Sequence, residues 1–390
     1  MTSTARRIGS PAPPRGFFLG GRRTPEGCLY LAPAGLVRGP VAGRLLEEGR
    51  AWPLAGRTDM AFTLLSLFLR DGSDRILHGV QDPETLRLWS QGEGEAVDAH
   101  VGRLFQTLTR PRAPFAGLER PDSKPLVMGI LNVTPDSFSD GGVHWGPQSG
   151  HHVALTSGLA MLEAGATILD VGGESTRPGA DPVPPDEEIA RVVPVIRELA
   201  NRGAVVSIDT YHAATMGAAL DAGALIVNDI TGLTGDPEAL PLVARRRAPV
   251  VVMHIQGEPR TMQSDPTYAD APLDVMDWLS ERLRTCREAG LSNDLLCVDP
   301  GIGFGKTVAH NLQILEATAQ FLGLGAEVLV GASRKSLIGK LCGVGVPRER
   351  LPGSLAIATA AAARGAAILR VHDVPETVQA LTVAEALERA

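Results

Sequence analysis

Residues 126–179 read LVMGILNVTPDSFSDGGVHWGPQSGHHVALTSGLAMLEAGATILDVGGESTRPG. Two short apolar runs, Leu126–Leu131 and Thr167–Val171, each end in a polar, glycine-rich turn. Between them Ala154–Ala164 has the composition of a helix, closed by Ala-Gly-Ala at 164–166, with the glycine where a left-handed helix cap belongs. Apolar runs without alternation are expected for parallel strands covered on both faces. The stretch therefore predicts a strand–helix–strand unit.

The same pattern recurs downstream. Further runs lie at Ala204–Ile208, Ala224–Val227, Pro249–Met253, Leu295–Val298, Glu327–Val330 and Ala366–Leu369, making eight in all. Helical patterns fall between them at 186–201, 274–289, 310–321 and 355–364, and the capping glycine returns at Gly223 and Gly365. Eight such units in about 265 residues match a (β/α)8 TIM barrel, which needs about 250. The alternative, an open doubly wound sheet, usually carries G-x-G-x-x-G after its first strand, and none stands there.

Upstream the pattern changes. Residues 110–125, RPRAPFAGLERPDSKP, hold four prolines and read as a linker. The expected division is an N-terminal extension at 1–109, a Pro-rich linker at 110–125 and the barrel at 126–390. The extension has apolar runs at 28–31 and 61–69, a short helical pattern at 84–89 and a longer one at 97–109, consistent with a small α/β unit. It carries no chemical motif, so a structural or interaction role is expected.

Composition narrows the function. At 44% hydrophobic and 21% charged, the 390 residues can bury a large core. No apolar stretch is long enough to span a membrane, and MTSTARRIGSPAPPRG lacks the apolar centre of a signal peptide. The four cysteines are scattered, which excludes a disulfide scaffold or a Cys-type zinc site and fits a reducing cytoplasm. Net charge is −7, with +3 on residues 1–123 and −10 beyond, and no basic stripe suggests nucleic-acid binding. Only four of the 37 basic residues are lysine: Lys124, Lys306, Lys335 and Lys340.

In a TIM barrel the active site lies at the C-terminal ends of the strands. Every run here ends in polar residues: Asn132 through Asp140, Gly172 through Gly179, Asp209-Thr210, Asn228-Asp229, His254, Asp299 through Lys306, Gly331 through Ser336, and Arg370 through Asp373. One polar ending means little, but eight converge on one mouth. Carboxylates and amides suit a hydrogen-bonding heterocycle. Arg, Lys, His, Ser and glycine-exposed amides suit a phosphate. Arg370 and His372 are two apart, so strand alternation turns both to one side as an anion clamp. The GIGFGKT stretch at 301–307 lacks P-loop spacing, and adjacent His151-His152 would point apart on a helix.

These motifs resemble a known family. VMGILNVTPDSFSDGG (127–142), ATILDVGGESTRPGA (166–180), SIDT (207–210), VNDITG (227–232), VMHIQGEPRTMQ (252–263), VDPGIGFGKT (298–307), GASRKSLIG (331–339) and RVHDV (370–374) are similar, in order, to bacterial dihydropteroate synthases. The resemblance covers residues 124–390. It implies condensation of 6-hydroxymethyl-7,8-dihydropterin diphosphate with 4-aminobenzoate, giving 7,8-dihydropteroate and diphosphate, with Mg2+ as cofactor and sulfonamides as inhibitors. It implies catalytic roles for Asp209, Asp299, Lys335, Arg370 and His372, and a pterin site of Asp209, Asn228, Met253, Asp299 and Lys335. Asn132, Arg177, Arg370 and His372 would hold diphosphate, with Asn132 toward the metal and Asp140 supporting metal and substrate. Thr176, Pro178, Phe304, Ser333 and Lys335 would surround the aminobenzoate. It also implies a cytoplasmic homodimer acting on small molecules, with neither nucleic acid nor membrane as partner. Tyr211-His212 after SIDT, Ile302 and Glu258 depart from the family pattern, at no residue carried over.

Two rivals make different demands. A pterin-binding methyltransferase would share the Asp and Asn contacts but need no anion site. A silent paralogue would show decay in the loops or anion site, and both are intact.

Overall fold

The computed structural model describes residues 7–8, 13–19, 23–72, 76–120, 124–134, 147–174, 182–258 and 260–389. The barrel strands are β6 (Leu126–Asn132), β7 (Ile168–Gly172), β8 (Val206–Asp209), β9 (Ile226–Asp229), β10 (Val250–Met253), β11 (Leu296–Asp299), β12 (Glu327–Val330) and β13 (Ile368–Val371). All pair in parallel, each with its successor, and β13 closes on β6. This is the expected TIM barrel. Each predicted run lies within two residues of an observed strand, because a strand buried on both faces is an unbroken apolar run.

The outer helices are α4 (Pro147–Glu163), α5 (Pro185–Asn201), α6 (Ala213–Asp221), α7 (Ala239–Arg246), α8 (Ala271–Glu288), α9 (Val308–Glu316), α10 (Thr318–Phe321), α11 (Ser336–Cys342), α12 (Leu351–Ala363) and α13 (Val374–Arg389). The sequence pattern did not suggest α6 or α7. AATMGAALD is apolar nearly all round and displays no amphipathic stripe, while ALPLVARR is only eight residues long and carries a proline, too short for its stripe to stand out.

Strand alternation divides the lumen into layers. Met128, Ile168, Ile226, Val251, Cys297, Leu329 and Ile368 form an apolar lower layer. Two residues further along the same strands come Ile130, Asp170, Asn228, Met253, Asp299, Gly331 and Arg370. The period of two that packs the lower layer therefore delivers a charged upper layer to the mouth.

The lower end is closed by residues 110–120. Phe115, 3% exposed, packs with Leu126, Met128 and Ile368. Arg112 Nη1 donates to the Ala326 carbonyl at 2.7 Å, and Arg120 Nη2 pairs with Glu327 Oε1 at 2.9 Å. Proline content suggested a spacer here; instead the segment is pinned to the barrel base. Burying a phenylalanine contributes roughly 1.5–3 kcal/mol.

Before this lies an α/β unit of β1 (Arg7–Ile8), β2 (Leu29–Arg38), α1 (Gly39–Glu47), β3 (Trp52–Pro53), β4 (Met60–Arg70), β5 (Ile76–Gln81), α2 (Pro83–Glu93) and α3 (Glu95–Thr109). The sheet order is β1-β5-β4-β2, with β3 on β4. Pro33 and Gly35 hid the second half of β2 from sequence reading; β2 lies at the sheet edge, where a proline costs no ladder bond. The unit shares one hydrophobic core with the barrel's outer shell. Polar ties reinforce it: Arg70 Nη2 to Asp274 Oδ1 at 2.9 Å and Tyr30 OH to Asp277 Oδ2 at 2.9 Å, both on α8. Arg38 also pairs with Glu388 on α13.

Candidate active site

The upper layer of the lumen is knit by ion pairs. Arg370 donates from Nε to Asp170 Oδ2 and from Nη2 to Asp209 Oδ2, each at 2.6 Å. Asn228 Nδ2 donates to the same Asp170 oxygen at 3.0 Å. Register sets this arrangement: Asn132 pairs with Gly172, Gly172 with Asp209, and Asp209 with Asn228, so the four share one level. Met253 is likewise level with Asp299. A Cβ at Gly331 would lie 3.7 Å from Arg370 Cδ and 3.8 Å from Asp299 Oδ2, so these two side chains flank the open floor.

Burial and charge tune the groups. Burial drives the Asp209 carboxyl up to about 7, against the pull of Arg370, while Asp170 and Glu188 push it further up. Asp299 is raised by burial, against the Gly301 backbone bond and the nearby lysines. Burial and the neighbouring Arg370 lower Lys335 to about 8, with Asp299 and Asp209 opposing. Arg370 stays firmly charged, held by Asp170 and Asp209 against its own burial.

The loop after β11 is shaped by its glycines. Gly301 has φ +69°, and a Cβ there would sit 1.9 Å from the His254 carbonyl oxygen. Its N–H donates to Asp299 Oδ1 at 2.7 Å, fixing the carboxylate. Lys306, 3% exposed, donates to the Phe304 carbonyl at 3.0 Å and meets His254 Nδ1 at 2.9 Å. Phe304 is thus held with its ring 4.0 Å from Lys335 Nζ. Met253, Ile230, Met262 and Phe304 form an apolar wall beside the charged floor.

At the end of β13, His372 lies beside Ser333: Nδ1 is 3.1 Å from Ser333 Oγ, and the His372 N–H donates to that oxygen at 3.2 Å. Burial first, then Arg370 and Arg334, depress His372 to about 3. Arg370 and Arg334 beside this buried imidazole contribute positive charge suited to an anion. The guanidinium of Arg370 turns to the carboxylates of the lumen, so the simple clamp expected from the two-residue spacing is divided between two places.

Of the expected site residues, Asn132, Asp209, Asn228, Met253, Asp299, Phe304, Ser333, Lys335, Arg370 and His372 gather at this mouth. Asp140, Thr176, Arg177 and Pro178 lie outside the described residues. Other polar strand ends have structural tasks. Asp229 accepts from the Thr231 and Leu233 backbone at 2.6 and 3.1 Å. Arg334 Nε donates to Asp373 Oδ2 at 3.0 Å. Sequence reading missed Asp170, which is fully buried. Its signal was there: one carboxylate inside the apolar run TILDV.

Comparison with known proteins decides the family. Residues 128–372 match the pterin binding enzyme family. The dihydropteroate synthase of Escherichia coli strain K12 is 49% identical over 265 residues, 68% of this chain and 92% of the relative. The chain belongs to the dihydropteroate synthase family. The dihydropteroate synthase of Xanthomonas albilineans, solved with 7,8-dihydropteroate, superposes with a TM-score of 0.62 at 44% identity, covering 68% of this chain and 95% of that one. The Yersinia pestis dihydropteroate synthase, solved with a sulfonamide drug, gives 0.65 at 46% identity over 70% and 98%. The barrel is therefore a transferase of folate biosynthesis, forming dihydropteroate as this synthase family does. Residues 1–125 lie outside the matched family region.

Proposed function

We propose that the upper lumen layer binds the pterin ring of 6-hydroxymethyl-7,8-dihydropterin diphosphate. Asp209, Asn228 and Asp299 hydrogen-bond its edge, Lys335 meets its ring oxygen, and Met253 packs on its face. The supporting observation is the Asp170–Arg370–Asp209 bridge, which holds an acceptor-rich floor in place before substrate arrives. Arg370, His372, Asn132 and Arg177 hold the diphosphate. Phe304, Ser333, Lys335, Thr176 and Pro178 enclose 4-aminobenzoate.

An aromatic amine is a weak nucleophile, so departure of diphosphate dominates the barrier. Arg370 as a fixed cation and His372 as a neutral hydrogen-bonding imidazole stabilise the charge growing on the leaving group. The pterin-stabilised cation left behind sits over Asp209 and Asp299. The Phe304 and Met253 wall excludes water while the amine attacks, and no covalent enzyme intermediate is required.

Mg2+ suits this mouth. The Asn132 amide oxygen is a hard donor facing Asp209 across Gly172: each side-chain oxygen lies 3.7 Å from where a Gly172 Cβ would be. Asn132, with Asp140, would hold the ion, which supplies charge neutralisation at the leaving diphosphate.

The extension at 1–109 supports the barrel's outer helices, and residues 110–125 join it to the barrel at 126–390. The protein acts as a homodimer. Helix α12, LPGSLAIATAAAA, has no polar face although it lies on the outside, and Leu341, Val383 and Leu387 nearby in sequence are exposed. No helix among the described residues is long and apolar enough to cross a membrane. Free cysteines fit a cytoplasmic enzyme of small-molecule substrates. The test is formation of dihydropteroate from pterin diphosphate and 4-aminobenzoate, dependent on Mg2+ and competitively blocked by a sulfonamide. Diphosphate release with no dihydropteroate would refute these assignments.

A further inference from the structure

A second group of chemically able side chains lies between the end of β7 and the starts of α5 and α6. Glu188, in the first turn of α5, has a side chain only 1% exposed. Its Oε2 accepts from Thr210 Oγ1 at 2.8 Å and from Thr215 Oγ1 at 2.7 Å. Its Oε1 is sealed from solvent with no hydrogen-bond partner. Glu174 repeats the arrangement: Oε1 accepts from Tyr211 OH at 3.1 Å, while Oε2 is buried and unpartnered. His212, which caps α6, brings Nδ1 to 3.2 Å from Glu188 Oε2. One donor atom from each of Glu174, Glu188 and His212 falls within 4.8 Å of the others.

We propose that Glu174, Glu188 and His212 form a binding site for one divalent transition-metal ion of the zinc class, separate from the diphosphate site. Buried carboxylate oxygens are ordinarily satisfied, and two in one cluster with no protein partner, beside an imidazole nitrogen, can be satisfied together by a shared cation. One imidazole and two carboxylates, with room for water as a fourth ligand, make a donor set for zinc rather than for calcium or magnesium. Donors at about 2.0–2.2 Å from the ion require side-chain shifts of only about 1 Å. Thr210, Thr215 and Tyr211 already occupy the outer positions: each fixes one carboxylate oxygen and leaves its twin free, as the supports of a metal site do. Tyr211-His212 departs from the family pattern, so the imidazole donor is a feature of this chain, whereas Glu174 lies within the family-like stretch at 166–180.

The test is calorimetric titration of the full-length, chelator-treated protein with Zn2+, with visible absorption of bound Co2+ as a second reading. The wild type and Asn132→Ala should each bind one ion per chain at this site with equal affinity. Tyr211→Phe should bind on the order of 10–100-fold more weakly. His212→Gln and Glu174→Gln, both at partly exposed positions, should lose the site and its Co2+ spectrum while keeping the wild-type circular dichroism. Failure of the wild type to bind Zn2+ would overturn the proposal. So would an unchanged affinity in folded His212→Gln, which would place the ion elsewhere.

Discussion

Arg370 Nε lies 2.6 Å from Asp170 Oδ2, a carboxylate with no solvent exposure. The pair joins β13 to β7 across the lumen and turns the guanidinium toward Asp209. Asp170 acts through Arg370 and Asn228, as a positioning residue. Asp170→Asn should cost about 3 kcal/mol of stability, since it leaves a buried cation short of a partner. It should raise KM for the pterin diphosphate more than it lowers kcat. Urea unfolding and steady-state kinetics read both; an Asn variant with unchanged KM would remove Asp170 from the site.

The pH profile follows from two displaced groups. Asp209, raised to about 7, loses its charge below that pH. Lys335, lowered to about 8, loses its proton above that pH. The profile of kcat/KM for the pterin diphosphate should therefore peak between about 7 and 8 and fall on both sides. Asp209→Asn should flatten the acid limb at a reduced rate. An acid limb that survives this substitution would assign it to another group.

Lys335→Arg should not be conservative. The ammonium sits 4.0 Å from the Phe304 ring, and a Cβ at Gly303 would already press to 3.2 Å from Lys335 Cδ. A planar guanidinium has no room in that slot. A loss of about 10²-fold in kcat/KM is expected, on the scale of removing one aimed donor. Near-normal turnover would show that Lys335 does not face the ring.

Phe115→Ala tests the closed lower end. Emptying this site should destabilise the protein by about 3–5 kcal/mol while leaving kcat close to normal, because the upper layer is untouched. Unfolding and activity measured together separate the effects. An unchanged midpoint would mean that the segment at 110–120 only rests against the barrel.

What could be read in the sequence follows from periodicity. The eight parallel strands were legible because burial on both faces makes them unbroken apolar runs, and the mouth was legible because each run stops at polar residues. Asp170 escaped because one carboxylate within TILDV looks like an interruption until the barrel closes and Arg370 arrives from 200 residues away. Phe115 escaped because prolines around it read as a spacer, while the apolar cluster it joins is assembled from strands distant in sequence. The first helix of the extension, GPVAGRLLE, and strand ILHGVQ are short and glycine-containing, too weak to announce themselves. His212 and Glu188 were present in the sequence, but only the packing of α5 against α6 brings them together.

The central claim is that the charged upper layer of the lumen is the pterin floor. A crystal structure of this chain with 7,8-dihydropteroate tests it most directly. The pterin ring should lie in the lumen with its edge on Asp209, Asn228 and Asp299, its ring oxygen at Lys335, and its face against Met253. The Asp170–Arg370 pair should persist beneath it. A ligand seated outside the lumen, with Asp209 and Asp299 untouched, would contradict the account.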